Sequence, residues 1–211
     1  MVEISKKYKL GVRRFGLINW IGTMALYEKE VQRFLIVWIQ TLLSPIISSL
    51  LFLLVLSVAI GNSRSDMLGF PFITFLAPGL IAMQIIQQAF SHSSSSFMIG
   101  KIQGNIVDIL YAPLSAGEVT FAVSLASVTR SFMIAAVSIC IFYFLVDIEI
   151  RNFYALIFYT FISSFILGLF GIIAGLWSEK FDHMASVTNF VIIPLSFLSG
   201  TFYTIDNLPQ F

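Results

Sequence analysis

The stretch FYALIFYTFISSFILGLFGIIAGLW, residues 153–177, runs for 25 positions without a single charged side chain. A bilayer core requires about 20 consecutive apolar residues for one spanning helix. The run is much longer than the roughly ten residues of an outer-membrane strand and lacks the two-residue alternation of such strands. It therefore predicts a helix that crosses a membrane.

Similar apolar runs occupy most of the remaining chain. Hydrophobic residues make up 58% of the sequence, charged residues only 11%, and the mean hydropathy is +0.92, whereas about 25% of the residues of a globular protein are charged. The other runs are Phe34–Ile60, Phe70–Phe90, Val119–Val146 and Val187–Phe202. We expect a single-domain, all-α integral membrane protein, built as a helical bundle with five transmembrane helices.

The positions of the basic residues give an orientation, because lysine and arginine concentrate in cytoplasmic loops. Seven of them precede the first run, namely Lys6, Lys7, Lys9, Arg13, Arg14, Lys29 and Arg33. The N-terminus is thus predicted to be cytoplasmic, which places Lys101 and Lys180 in cytoplasmic loops and Arg64 and Arg151 outside. The net charge of +1 gives no indication of nucleic acid as a partner.

Residues 15–33 precede the first span and combine apolar with charged positions. Charges interrupt the segment, so it does not resemble a cleavable signal peptide. It is predicted to be an interfacial helix with its charged side chains, Glu28, Glu30 and Arg33, in water. The apolar residues expected in the headgroup layer are Phe15, Ile18, Met24 and Leu26. A plain soluble linker helix is the alternative.

A second amphipathic segment, residues 97–116, separates the second run from the third. Ile102, Ile106, Ile109 and Leu110 recur at helical spacing, which favours a helix with one apolar face available for docking. The helix is expected to stop at Ala112, because a residue before proline is steered away from helical dihedral angles.

Arg130 is the one charge predicted to lie deep in a span, where ionisable residues are costly and are candidates for function. In the second span, side chains at helical spacing form a polar stripe that should face the bundle interior: Gln84, Gln87, Gln88, Ser91 and Ser95. Asn189 in the fifth span is a further candidate contact. Gln84, Gln88, Arg130 and Asn189 either line a path for a polar or anionic cargo or hold helices together.

Other polar residues give weaker indications. His92 is expected to be an interfacial residue, because no carboxylate shares its helix face within one turn. Asp182 and His183 are expected to be solvated loop residues, and the single Cys140 excludes an internal disulfide. No catalytic or metal site is predicted. The chain contains no glycine-rich phosphate-binding loop, so any nucleotide hydrolysis must belong to another subunit.

Several motifs in a fixed order resemble those of the ABC type-2 transmembrane domain, the permease of bacterial ABC exporters. The matching stretches are LYEKEVQRF (26–34), LLSPII (42–47), FLAPGLIAMQ (75–84), GNIVDILYAPLSAGE (104–118) and NFVIIPLSFLSGTFYTIDNLP (189–209). The resemblance covers residues 26 to 209. It implies a separate ABC ATPase subunit, a second permease copy forming a homodimer, and location in the lipid of the bacterial inner membrane.

The resemblance also implies roles for particular residues. The cytoplasmic segment between spans 2 and 3 is similar to the family's coupling helix, which docks on the ATPase, through Gly100, Lys101, Gly104, Asn105, Ile106, Asp108, Ile109 and Pro113. The permease itself needs no cofactor, because ATP is used by the partner. The family has six spans, whereas five are predicted here, which suggests either a fragment or a truncation before the sixth span.

The resemblance implies alternating access, in which ATP-driven closure of the partner ATPases moves the two permease bundles and opens a path outward. A membrane-embedded enzyme and an ion-coupled secondary carrier are the rival functions. A carrier favours buried carboxylates or broken helices at the midplane, and the five runs show no aspartate or glutamate at that depth.

Overall fold

The computed structural model describes residues 18–60, 71–146 and 150–198, and every regular element in these ranges is helical. The α-helices are α1 (Trp20–Ile36), α2 (Ser44–Ile60), α3 (Phe72–Ile102), α4 (Ile106–Tyr111), α5 (Ala116–Tyr143), α6 (Phe153–Trp177), α7 (Phe181–Val187) and α8 (Ile193–Leu198). Two π-helical turns, Ile39–Leu43 and Thr188–Ile192, precede α2 and α8.

Five helical stretches in the described residues are long and apolar enough to cross a membrane. They are Ile39–Ala59, Phe72–Ile102, Ala116–Tyr143, Phe153–Trp177 and Phe181–Leu198, here called the first to fifth spans. The predicted all-α membrane fold and its five spans are confirmed. Residues 1–17, 61–70, 147–149 and 199–211 lie outside the described residues, and with them Arg64 and the end of the predicted fifth run.

Proline explains the two π-helical turns. Leu43 ends the first turn two residues before Pro45, and Ile192 ends the second two residues before Pro194. A proline has no N–H to donate to the carbonyl four residues earlier, so the regular ladder is interrupted there. By contrast α3 stays helical through Pro78.

Small residues bring the second and fourth spans into close contact. A Cβ atom on Gly171 would lie 2.5 Å from the carbonyl oxygen of Phe90, and one on Gly175 would lie 2.7 Å from that of Ser94. Only glycine permits this approach of two backbones. The glycine face of the fourth span is therefore a packing surface.

The second and third spans form the centre of the bundle, and the first and fifth lie at its margin. In the most apolar window of each span, 44% and 50% of the residues are buried in the second and third, but only 22% and 11% in the first and fifth. The marginal spans thus present apolar surface to lipid or to another protein chain.

Helix α1, which contains most of the predicted interfacial segment, packs closely on the bundle. The side chain of Asn19 caps its start by accepting from the N–H of Gly22 at 3.0 Å, and Leu26 is buried in a cluster with Phe97 and Ile172. The sequence placed Leu26 in the headgroup layer and Glu30 in water, and the structure corrects both, because one face of α1 is covered by the spans.

Candidate functional site

An open cavity of about 910 Å³ lies between the end of α1 and the first, second and fifth spans, and we call it the polar cavity. Its wall includes all five residues of the polar stripe of the second span, so this face of the helix lines a cavity between helices. The polar or charged residues of the wall are Arg33, Gln40, Thr41, Ser44, Ser48, Ser49, Gln84, Gln87, Gln88, Ser91, Ser95, Gln103 and Arg130.

Arg130 reaches this wall from the third span and is only 7% exposed. Its Nη2 donates to Oε1 of Gln88 at 2.5 Å and to the carbonyl oxygen of Thr41 at 3.2 Å. The Thr41 carbonyl is available because Pro45, four residues later, has no N–H to donate to it. The arginine thus points into the bundle and joins three spans.

The glutamines of the stripe also bind neighbouring helices. Gln84 donates from Nε2 to the carbonyl oxygen of Pro45 at 2.7 Å and accepts from Ser138 at 3.3 Å, while Gln87 donates to Ser196 at 2.9 Å. These side chains therefore line the cavity and hold helices together at once. The predicted contact from Asn189 is absent from the described structure, since this residue is exposed and does not line the polar cavity.

A buried polar cluster next to the cavity was missed in the sequence. Glu30, only 2% exposed, accepts from Nε of Arg33 at 3.0 Å, and its Oε2 lies 3.8 Å from Nε2 of the fully buried His92. Nη2 of Arg33 donates to the carbonyl oxygen of His92 at 3.0 Å. The carboxylate near His92 comes from another helix, so a search along one helix face could not find it.

One sequence signal did point to this burial. Leu26, Glu30 and Phe34 are spaced by four residues, so they share one face of α1, and all three are buried. A carboxylate within an apolar stripe predicts a buried partner. Among residues 18–60, 71–146 and 150–198, no group of three or more His, Cys, Asp or Glu side chains could hold a metal ion.

The predicted coupling segment divides into three parts. Phe97–Ile102 continues the second span, Gln103–Asn105 forms a turn in which Gly104 adopts a φ of 76°, and Ile106–Tyr111 forms α4. Ala112 is extended, with φ −64° and ψ 146°, as expected for a residue before Pro113. The span is longer than predicted because the amphipathic pattern begins while the helix is still continuous.

The apolar face of α4 is divided between two surroundings. Ile106 and Ile109 pack on a buried cluster that contains Leu26, Phe97 and Val123. The exposed apolar side chains of the segment form a different surface, here called the docking face: Ile102, Val107, Leu110 and Tyr111. Leu110 is 75% exposed and Tyr111 87%. The bundle therefore partly covers two of the residues that the sequence offered for docking.

The other predicted coupling residues connect the segment to the bundle or lie on its surface. Nζ of Lys101 donates to the carbonyl oxygens of Leu176 and Ser178, at the end of the fourth span. The carbonyl oxygen of Pro113 accepts from Nδ2 of Asn19 at 3.2 Å. Gly100 is half-buried, and Gly104, Asn105 and Asp108 are exposed.

Glu118 fixes the far end of this segment. Its Oε2 accepts from the N–H of Ser115 at 2.7 Å, and the Ser115 hydroxyl accepts from the N–H of Glu118 at 3.4 Å, forming a capping box. Its Oε1 also accepts from the N–H of Asn19 at 2.5 Å. The predicted coupling segment is thus joined to α1, to the third span and to the fourth.

Comparison with known proteins agrees with this architecture. The family model of the ABC-2 type transporter matches residues 22–211. The chain is 30% identical over 194 residues to the inner membrane transport permease YadH of Escherichia coli strain K12, covering 92% of this chain and 76% of the relative. YadH of Shigella flexneri gives the same values. No solved structure shows a significant match.

Proposed function

Since this chain belongs to the ABC-2 type transporter family, we propose that it is the permease subunit of an ATP-driven exporter. A separate ABC ATPase supplies the energy, and the permease moves its cargo outward by alternating access. The permease uses no cofactor of its own. YadH is described as an inner membrane permease, and we assign this chain to the same membrane of a bacterium, with a cytoplasmic N-terminus.

The observation that carries this proposal is the docking face. Val107, Leu110 and Tyr111 are large apolar residues exposed on a short helix between two spans. Lys101 and Lys180 flank this end of the bundle, and basic residues favour the cytoplasmic side. An exposed apolar surface in an aqueous compartment favours a protein partner. We assign it to the ATPase.

The contacts of the coupling segment support transmission of force from that partner. Ile106 packs on the bundle core, Lys101 bonds to the end of the fourth span, and Pro113 bonds to Asn19 of α1. A push on the docking face would therefore reach the bundle through these contacts. Rigid-body rotation about an interface is an established form of switching.

The marginal spans support a second copy as partner. The first and fifth spans are the least buried, and the polar cavity opens between them and the second span. A second permease chain on this side would place two polar cavities opposite each other along a central path, with membrane lipid around the rest. We propose a homodimer of permeases with two ATPase chains.

The proposal is tested by affinity purification of the tagged full-length permease from membranes of its own bacterium in mild detergent. We expect an ATPase with a phosphate-binding loop to co-purify, identified by mass spectrometry and by ATP hydrolysis in the eluate. Leu110→Asp should remove it, because burying an unpaired charge costs several kcal/mol. Co-purification of the ATPase with Leu110→Asp at the unmodified level would contradict the docking assignment.

The matched control is Leu145→Asp. Leu145 is also an exposed leucine, at the opposite end of the third span, and is 63% exposed. This variant should retain the ATPase. If no ATPase accompanies the unmodified permease, the exporter proposal itself fails.

A further inference from the structure

The polar cavity carries an excess of positive charge. Two arginines, Arg33 and Arg130, line it, and its described wall contains no aspartate or glutamate. Glu30 lies beside the cavity and pairs with Arg33. Within residues 18–60, 71–146 and 150–198, Arg130 has no ion pair. Arg33, Arg130 and Glu30 together therefore carry one uncompensated positive charge.

The surroundings of Arg130 leave its positive charge available to bind an anion. Its hydrogen-bond acceptors, the Gln88 side chain and the Thr41 carbonyl, are neutral, and its buried Nε has no acceptor in the described residues. A buried charge is normally paired, because desolvation without a partner costs several kcal/mol. An anion entering the cavity would supply the missing counter-charge, with attraction strengthened by the low local dielectric.

The wall of the cavity changes character along the bundle. The second span lines the wall at positions from Leu80 to Ile99, a length of about 28 Å at 1.5 Å per residue. Both arginines lie nearer the α1 end, where Phe34, Val37 and Ile99 also line the wall. The far end of the described wall has no charged side chain, and its large apolar residues Phe52, Leu80, Met83 and Phe197 stand among Ser48, Ser49 and Gln84. An elongated site with a charged part and an apolar part matches an amphiphile better than a sugar or a hydrocarbon.

We propose that the polar cavity binds an anionic amphiphile. Its phosphate or carboxylate group engages Arg130 and Arg33, with the amides and hydroxyls of the stripe as further donors, and its aliphatic chain lies along Phe52, Leu80 and Met83. This inference rests on the proposed export function, of which it names the cargo class.

Binding to the purified full-length permease in a neutral detergent tests the proposal, with calorimetry as the measurement. The probes are dioctanoyl phosphatidylglycerol, zwitterionic dioctanoyl phosphatidylcholine, and glycerol 3-phosphate. We expect the phosphatidylglycerol to bind at least tenfold more tightly than either other probe, with an affinity that falls as salt is added. Equal affinity for the two lipids overturns the anion site. Equal affinity for phosphatidylglycerol and glycerol 3-phosphate overturns the amphiphile and leaves a site for a free phosphate.

Substitutions of two arginines test whether the lipid binds in the polar cavity. Arg130→Gln should weaken phosphatidylglycerol binding at least tenfold, whereas Arg130→Lys retains most of it. Arg151→Gln, which removes an exposed arginine outside the cavity, should bind as the unmodified protein does. Equal loss in the Arg130→Gln and Arg151→Gln variants would show general attraction of lipid to a basic surface and would overturn the assignment. If Arg130→Gln does not fold, the comparison of phosphatidylglycerol with phosphatidylcholine on the unmodified chain tests the anion site.

The lipid-binding experiment and the ATPase co-purification experiment can fail independently of each other. An ATPase that co-purifies with a permease indifferent to lipid charge would overturn only the cargo class. Selective phosphatidylglycerol binding by a permease that captures no ATPase would overturn the exporter and leave the anionic site standing.

Discussion

The backbone N–H of Asn19 donates to Oε1 of Glu118 at 2.5 Å, which joins the start of α1 to the start of the third span across 99 positions of sequence. The same carboxylate accepts from the N–H of Ser115. One buried side chain therefore fixes α1, the end of the coupling segment and the third span in a single arrangement.

Glu118→Gln should destabilise the permease by about 1 to 3 kcal/mol, because hydrogen bonds to an ionised carboxylate are stronger than those to an amide. The measurement is the free energy of unfolding in detergent. Glu28→Gln is the control, since Glu28 is exposed on α1, and it should change stability by less than about 0.5 kcal/mol. Equal stability of the two variants would contradict the role given to Glu118.

Ile106→Asp should lower the amount of permease that accumulates in the membrane, because Ile106 packs inward on the cluster of Leu26 and Phe97. A charge placed there without a partner costs several kcal/mol. Quantitative immunoblotting of membranes compares this variant with Leu110→Asp, which should accumulate normally. Normal accumulation of Ile106→Asp together with loss of the ATPase would instead place Ile106 on the docking face.

Gly171→Ala should destabilise the contact between the second and fourth spans by about 1 to 3 kcal/mol. The added Cβ would lie 2.5 Å from the carbonyl oxygen of Phe90 and 3.0 Å from Cβ of Ser93, so a backbone must move. Thermal unfolding monitored by circular dichroism is the measurement. Gly117→Ala is the control because its Cβ would meet nothing within 4 Å. An unchanged unfolding midpoint for Gly171→Ala would show that the contact can relax without cost.

Cysteine labelling tests the proposed orientation in the membrane. After Cys140→Ser removes the native thiol, a membrane-impermeant maleimide applied to sealed cells should label Arg151→Cys and spare Asn105→Cys. Both positions are exposed and lie at opposite ends of the third span. Labelling of Asn105→Cys should appear only after the cells are opened. The reverse pattern would invert the topology and remove the ATPase from the docking face.

Features that depend on residues near each other in sequence were predictable. The charge-free run 153–177 and its counterparts gave five spans, because the length and apolarity of a helix that crosses a bilayer are local properties. The end of α4 before Ala112 and Pro113 follows from the sterics of one dipeptide. The periodicity of Gln84, Gln87 and Gln88 likewise gave a stripe that points into the bundle.

Features that depend on packing between helices required the tertiary structure. The sequence showed that Ile106 and Leu110 are apolar, but only the packed bundle shows that the first is partly covered and the second exposed. It likewise placed Glu30 in water, whereas α1 carries that carboxylate to His92 of the second span.

The sequence by itself thus determined that the chain lies in a membrane, that its described residues contain five spans, and which family it belongs to. These properties are set by local apolarity and by motifs in order. Only the tertiary structure decided which polar groups pair, which apolar face remains open and where the cavity lies. A pattern in one helix specifies which side chains share a face, but the free energy of burying that face depends on the atoms that another helix brings to it.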